Sequence, residues 1–234
     1  MIKIKKIIPT ALLLTSISSA ALADNWNVGA SASYGNLDGN ASDTQDGVAQ
    51  TRGAKSGDAD FPFASIFVEY AKTMNKDLDI VFGLDYVPFK AEIDSKSFAD
   101  SSFEARGETV GALASTSGTR KAKLELANYS TLYLQPTYKI GGGTAVFGKV
   151  GYIHGDVKIS GSNTATGSTI NAEDTLNGYV VGLGVQHNIN KNVFVRLEGS
   201  YTDHDNVSAT DSKGTTFTAD SELIAGKLSI GYSF

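Results

Sequence analysis

The sequence predicts an all-β chain: an eight-stranded antiparallel transmembrane β-barrel with four long extracellular loops and short periplasmic turns. Three observations carry this. Apolar and small polar residues alternate with period two. The tyrosines fall at two levels, at opposite ends of the apolar face. The connections alternate between short and long.

Composition sets the outer bounds. Of 234 residues, 41% are apolar, too many for a disordered chain. The chain holds 20 Lys and Arg against 25 Asp and Glu, and that acidic balance argues against nucleic acid as a partner. It has no Cys, which excludes disulfide staples, thiolate metal sites and a lipidated N-terminal Cys.

The N-terminus reads as a signal peptide. Lys3, Lys5 and Lys6 form a positive region, and residues 7–17 form an apolar one. Ala21-Leu22-Ala23 is a small-residue cleavage site, so residues 1–23 are expected to be removed after Ala23. The apolar run is too short for a spanning helix, which needs about 20 residues. Loss of the three Lys takes the net charge from -5 to -8. The mature domain, residues 24–234, has no long apolar run, so it crosses a membrane with strands if it crosses at all.

Eight segments alternate. The first is 26–34, with Trp26, Val28, Ala30, Ala32 and Tyr34 in one phase and Asn27, Gly29, Ser31 and Ser33 in the other. The next are 64–70, 78–86, 132–138, 146–152, 179–187 and 193–201. The last, 224–234, sets Ile, Gly, Leu, Ile, Tyr and Phe against Ala, Lys, Ser, Gly and Ser. Each reads as a strand with one greasy face. Residues 102–114 could wind into a short helix, but Gly107 and Gly111 weaken it.

Three connections are short: 71–77, 139–143 and 188–192. Two of them share a pattern, Met74-Asn75-Lys76-Asp77-Leu78 and Ile189-Asn190-Lys191-Asn192-Val193, which suits equivalent hairpin turns. Gly141-Gly142-Gly143 reads as a tight turn; no helix follows it to make a phosphate site. Four connections are long and polar: 36–60, 94–122, 160–175 and 205–220. Gly47, Gly107, Gly167 and Gly214 mark their middles as sites reachable from outside.

Two aromatic girdles separate a membrane barrel from a soluble sandwich. Trp26, Tyr70, Tyr138, Tyr232 and Phe234 sit at the short-turn end. Tyr34, Tyr86, Tyr152, Tyr179 and Tyr201 sit at the long-loop end. Amphipathic rings prefer the headgroup level. Trp26 to Tyr34 is eight residues, or ~26 Å of strand, and a tilt near 40° makes that ~20 Å across the membrane. A sandwich would put Lys, Glu and Thr on its outer face. Here the second phase is mostly Gly, Ser, Asn and Thr, as a narrow lumen requires.

The phrases Val68-Glu69-Tyr70 and Val195-Arg196-Leu197-Glu198, and the ending Ile230-Gly231-Tyr232-Ser233-Phe234, carry a resemblance. The whole mature chain resembles the small eight-stranded outer-membrane barrels of Gram-negative bacteria, the OmpA-transmembrane-domain, OmpX and opacity-type family. The resemblance implies a structural or surface-interacting protein in contact with outer-membrane lipids and lipopolysaccharide. It implies that Phe234, with Tyr232 and Ile230, is the mark read by the barrel-assembly machinery. The chain stops at its last strand, so the peptidoglycan-binding domain of longer relatives is expected to be absent.

On the inward phase stand Glu69, Asp79, Asp85 and Glu198 against Lys149, Arg196 and Lys227. These charges should pair, because an unpaired charge in a narrow interior is costly. With Phe67, Tyr133, Phe147 and Phe194 they are expected to fill the lumen, since eight strands leave little room. The alternative is a narrow passive pore for ions or small solutes through the same network.

Chemistry is thin. His187 lies on the outward phase and reads as a substitute for an interfacial aromatic. His154 and His204 lie near the long-loop rim. Some eight-stranded relatives modify lipid A with His, Ser and an acid at such a rim, and Ser200 lies near His204. Ser and Asp are so common there that the coincidence has little weight, and the expected reading is not an enzyme. Asp38, Asp43, Asp46, Asp58, Asp60, Asp203, Asp205, Asp211 and Asp220 crowd the long connections but match no calcium loop. No catalytic, cofactor or metal residue is assigned. The expected molecule is a monomeric barrel whose loops meet a surface ligand or host factor.

Overall fold

The computed structural model describes residues 24–45, 48–49, 55–89, 91–100, 118–163, 168–210, 212 and 216–234. The signal-peptide region, the helix weighed at 102–114, and Gly47, Gly107, Gly167 and Gly214 lie outside them. The strands are β1 (Asp24–Gln45), β2 (Val48–Ala49), β3 (Lys55–Thr73), β4 (Leu78–Tyr86) and β5 (Ala91–Asp100). They continue with β6 (Gly118–Gly141), β7 (Thr144–Asn163), β8 (Ser168–Asn188), β9 (Val193–Thr210) and β10 (Thr216–Ser233).

Eight of them form an antiparallel ring, β1-β3-β4-β6-β7-β8-β9-β10, closed by β10 against β1. Ala30 faces Ile230 across that seam, and the Phe234 N–H donates to the Trp26 carbonyl at its end. Closure leaves no open edge in the ring, as lipid demands. The two further strands lie off the ring: β2 pairs with β1, and β5 pairs with β6.

Period two decides which way each side chain points. Ile66, Leu132, Val181, Leu183, Leu197 and Leu228 face outward and are exposed. Their neighbours Ser65, Tyr133, Val180, Arg196 and Ser229 face inward and are buried. This is the reverse of a soluble protein and suits a wall solvated by acyl chains.

The short turns use local hydrogen bonds. Asn75 Oδ1 accepts from the N–H groups of Asp77 and Leu78, at 2.9 and 3.0 Å. Asn190 Oδ1 does the same for Asn192 and Val193, both at 2.9 Å. The two turns that look alike in sequence are thus built alike, by an Asn side chain that mimics a backbone turn. The third turn has φ of 97°, 61° and 76° at Gly141, Gly142 and Gly143, a run that only glycine adopts readily.

The long connections differ from expectation. Much of each is strand rather than loop. The β1–β3 ladder runs on to Ala41 opposite Lys55, β7–β8 to Asn163 opposite Ser168, and β9–β10 to Thr210 opposite Thr216. Beyond the apolar band the outer wall meets water, so Asp, Asn, Ser and Thr replace Ile and Leu there. Hydropathy stops alternating while the backbone ladder continues. Of the acids expected in loops, Asp38, Asp43, Asp58, Asp60, Asp203, Asp205 and Asp220 therefore stand on strands, while Asp46 and Asp211 lie outside the described residues. Asp58, Asp38, Glu222 and Asp203 lie directly opposite one another across β3, β1, β10 and β9, and all four are exposed.

Bulges re-aim the upper walls. In β6 the register slips between Ala127 and Ser130, where Asn128 has φ of 51°. Below the slip Tyr129, Tyr133, Gln135 and Thr137 point inward; above it Leu126 does. The extra residue reverses the phase.

Candidate functional site

The lumen is the one place where charge is buried among the described residues. The Arg196 guanidinium meets Glu69 in a two-pronged pair, at 2.5 and 2.8 Å. Tyr133 OH donates to Glu69 Oε1 at 2.5 Å and Asn27 Nδ2 to Oε2 at 3.1 Å. Arg196 Nε donates to Gln186 Oε1 at 2.7 Å. The carboxylate and the guanidinium are thus both hydrogen-bonded on several sides, the condition for burying such a pair. Lys149 Nζ donates to Glu198, and Lys227 Nζ to Asp85 at 2.9 Å. Asp79 lies apart, at the short-turn rim, where Lys139 Nζ holds it at 2.8 Å.

Four aromatic rings fill the space between the charges. Arg196 lies over Phe194 at 4.6 Å from the ring centre, and Lys149 over Tyr133 at 4.4 Å. Each of the four rings has a glycine as its direct cross-strand partner: Phe67 with Gly29, Tyr133 with Gly83, Phe147 with Gly184 and Phe194 with Gly231. Each ring folds over its glycine, where a β-carbon would come within 2.2–2.3 Å of it. The small residues of the inward phase are therefore seats for the large ones.

Two features were not read from the sequence. Lys139, assigned there to a turn, continues the inward phase of Gln135 and Thr137 and supplies a fourth base against the four acids. Toward the long-hairpin end the lumen turns apolar. Val87, Leu126, Tyr129, Ile153, Val157, Leu176 and Val180 form one buried cluster, and Phe61, Leu223 and Ala225 a second. The signal was present as Val157-Lys158-Ile159 and Leu124-Glu125-Leu126, short alternations inside stretches that look polar as a whole.

The histidines separate. His204 is buried in the lumen, with Nε2 3.2 Å from Tyr129 OH and Nδ1 3.2 Å from Ser221 Oγ. Ser200, its suggested catalytic partner, lies four residues along the same strand, about 13 Å away by strand rise and far beyond hydrogen-bond reach. His154 stands on the outer wall beside Asn177, at 3.0 Å. His187 is exposed at the short-turn end, 3.0 Å from Thr144 Oγ1. Among the described residues no group of three or more acids and histidines is placed to hold a metal ion.

The outward aromatics lie at the two ends of the apolar band. Trp26 and Tyr70 are paired at 5.4 Å between ring centres, and Tyr232 and Phe234 at 5.1 Å. Tyr138 shares that end, opposite Leu78. At the other end Tyr152 and Tyr179 meet at 5.5 Å, with Tyr201 on the adjacent β9 and Tyr34 and Tyr86 farther round the ring on β1 and β4.

The outer membrane protein beta-barrel domain family matches residues 10–220. The chain belongs to that family. It is an integral protein of the bacterial outer membrane, all-β, with its eight ring strands crossing the bilayer. No curated protein matches the chain. Among solved structures, the outer membrane protein OprG from Pseudomonas aeruginosa is similar, with a TM-score of 0.57 at 16% identity, over 90% of this chain and 95% of its own. The outer membrane protease OmpT from Escherichia coli has a TM-score of 0.48 at 10% identity, over 93% and 99%. The attachment invasion locus protein Ail of Yersinia pestis has a TM-score of 0.41 at 16% identity, over 87% and 98%. At these identities the OprG likeness speaks for the fold alone.

Proposed function

We propose that the protein is a plugged, non-enzymatic outer-membrane anchor that presents its long hairpins to the surroundings of the cell. The observation that carries this is the Glu69–Arg196 pair, which ties β3 to β9 across the lumen. Lys149–Glu198 and Lys227–Asp85 add two further cross-links, and the apolar clusters close the lumen above them. Charges paired at this distance inside a narrow barrel leave no continuous water path. The enclosure of His204, away from lipid and out of reach of Ser200, supports a role other than lipid modification.

In this reading the short turns and both ends of residues 24–234 face the periplasm, and the hairpins face outward to meet lipopolysaccharide and a surface ligand or host factor. Cleavage after Ala23 frees Asp24 as the start of β1. The assembly machinery reads Ile230, Tyr232 and Phe234, and the barrel stands as a monomer. A liposome swelling assay with small sugars tests the plug. Liposomes carrying the protein should swell no faster than empty ones; fast swelling would favour the narrow-pore alternative.

A further inference from the structure

His204 stands three residues beyond Tyr201, on the part of β9 outside the bilayer, and its ring is buried in the lumen. It ties three strands together. Across the lumen its Nε2 lies 3.2 Å from Tyr129 OH on β6, and the two rings meet edge-on with centres 6.2 Å apart. On β10 its Nδ1 lies 3.3 Å from the Ser221 carbonyl oxygen and 3.2 Å from Ser221 Oγ. A carbonyl only accepts, so the ring that fits carries its proton on Nδ1 and accepts the Tyr129 O–H at Nε2. The neutral imidazole is then fully paired.

The surroundings suit that neutral form. Leu126, Ile153, Val157 and Val180 share one apolar cluster with Tyr129. Asp85 on β4 faces the lumen below, already taken by Lys227 of β10 at 2.9 Å. Asp174 on β8 is level with Ser208, four residues farther along β9, and accepts from the Ser208 and Thr175 N–H groups, both at 2.8 Å. Asp203 and Asp205 on β9, Asp220 and Glu222 on β10, Asp38 on β1 and Tyr179 on β8 are exposed on the outer wall. Among the described residues none of these acids contacts the ring. A charged imidazole would also set a second N–H against Tyr129 OH, which must then turn its own proton elsewhere. Burial holds the His204 pKa below the usual histidine value.

Tyr129 is the partner built to yield. It sits in the β6 bulge, where the register against β7 slips between Ala127 and Ser130 and Asn128 has φ of 51°. The ladder to β7 is interrupted there, and the Tyr129 carbonyl is held instead by the Val87 N–H at 2.9 Å.

We propose that His204 is an acid-sensitive latch: protonation of its ring releases β9 and β10 from Tyr129 and loosens the apolar plug above the charge network. The opened form binds the proton more readily than the closed one. The latch is therefore tight above about pH 6.5, the value of a solvated histidine, and weakens as pH falls below it. This goes beyond the plugged-anchor reading. Amide exchange reports it without reference to current, so its failure leaves that reading standing.

The test follows the folded, isotope-labelled barrel in lipid nanodiscs by NMR, from about pH 7.5 to about pH 4. The His204 ring should titrate with a midpoint below about 6.5. Over the same range amide exchange at Thr202, Val207 and Leu223, corrected for its intrinsic pH dependence, should speed up about tenfold or more. His204→Gln keeps a neutral side chain that can donate to Ser221 and accept from Tyr129, and should hold that change below about twofold. Carboxylates that titrate in the same range are common to both proteins, so the difference isolates the ring. The ring titration of the unmodified protein needs no variant at all. A ring that stays neutral throughout, a midpoint at or above the solvated value, exchange that does not follow the titration, or equal acceleration in His204→Gln would overturn the proposal.

Discussion

The ring of Phe67 lies over Gly29, its direct partner on the neighbouring strand, so closely that a β-carbon at Gly29 would sit 2.3 Å from the ring. The same β-carbon would press on the Ile230 carbonyl oxygen at 2.3 Å. Neither neighbour can yield easily, since one is a packed ring and the other backbone. Gly29→Ala should therefore destabilise the barrel by about 1–3 kcal/mol, the usual cost of overpacking. Urea unfolding in lipid, read by the gel shift between folded and unfolded forms, checks it. Gly226→Ala, where nothing lies within 4 Å, is the matched control and should be near neutral.

Arg196→Ala should cost more. It strands the buried Glu69 carboxylate, which costs about 3–5 kcal/mol when one partner of such a pair is removed. Replacing both partners by Met should recover much of the loss, because the penalty is the unpaired charge rather than the absent attraction. The double-mutant cycle under the same unfolding assay measures this coupling.

The row Asp58, Asp38, Glu222 and Asp203 sets like charges directly opposite one another on the outer wall. Like-charged cross-strand pairs each destabilise by roughly 0.2–1 kcal/mol. Asp38→Asn, in the middle of the row, should raise stability at low ionic strength. The gain should shrink as salt is added, since exposed charges are screened.

What the sequence could and could not reveal follows from one rule. Period two marks an inward side chain wherever the opposite phase is greasy, so Glu69, Arg196, Lys149 and Glu198 were legible. Their specific pairing was not, because partners such as Glu69 and Arg196 come from strands far apart around the ring. Lys139 was lost to its proximity to the glycine turn, although it keeps the phase of Thr137. Leu126, Val157 and Leu176 were hidden because above the bilayer the outer phase is polar, so the contrast that marks a strand disappears while the ladder goes on. The reversal at Asn128 could not be counted from sequence, since a bulge adds a residue without a composition signal.

Phe234 should matter for assembly beyond its packing on Tyr232, at 5.1 Å. Phe234→Ser should leave more unfolded periplasmic protein and less heat-modifiable barrel in outer-membrane fractions. Phe234→Trp, which keeps an aromatic ring, should restore both. Equal folded levels for the Ser variant would count against the assembly role.

The central claim is that paired side chains close the lumen, and single-channel recording of the unmodified protein in a planar bilayer tests it most directly. The account predicts rare, small conductance steps, which become more frequent in the Arg196→Ala variant as the Glu69 pair is lost. A large, steady conductance from the unmodified protein would contradict it.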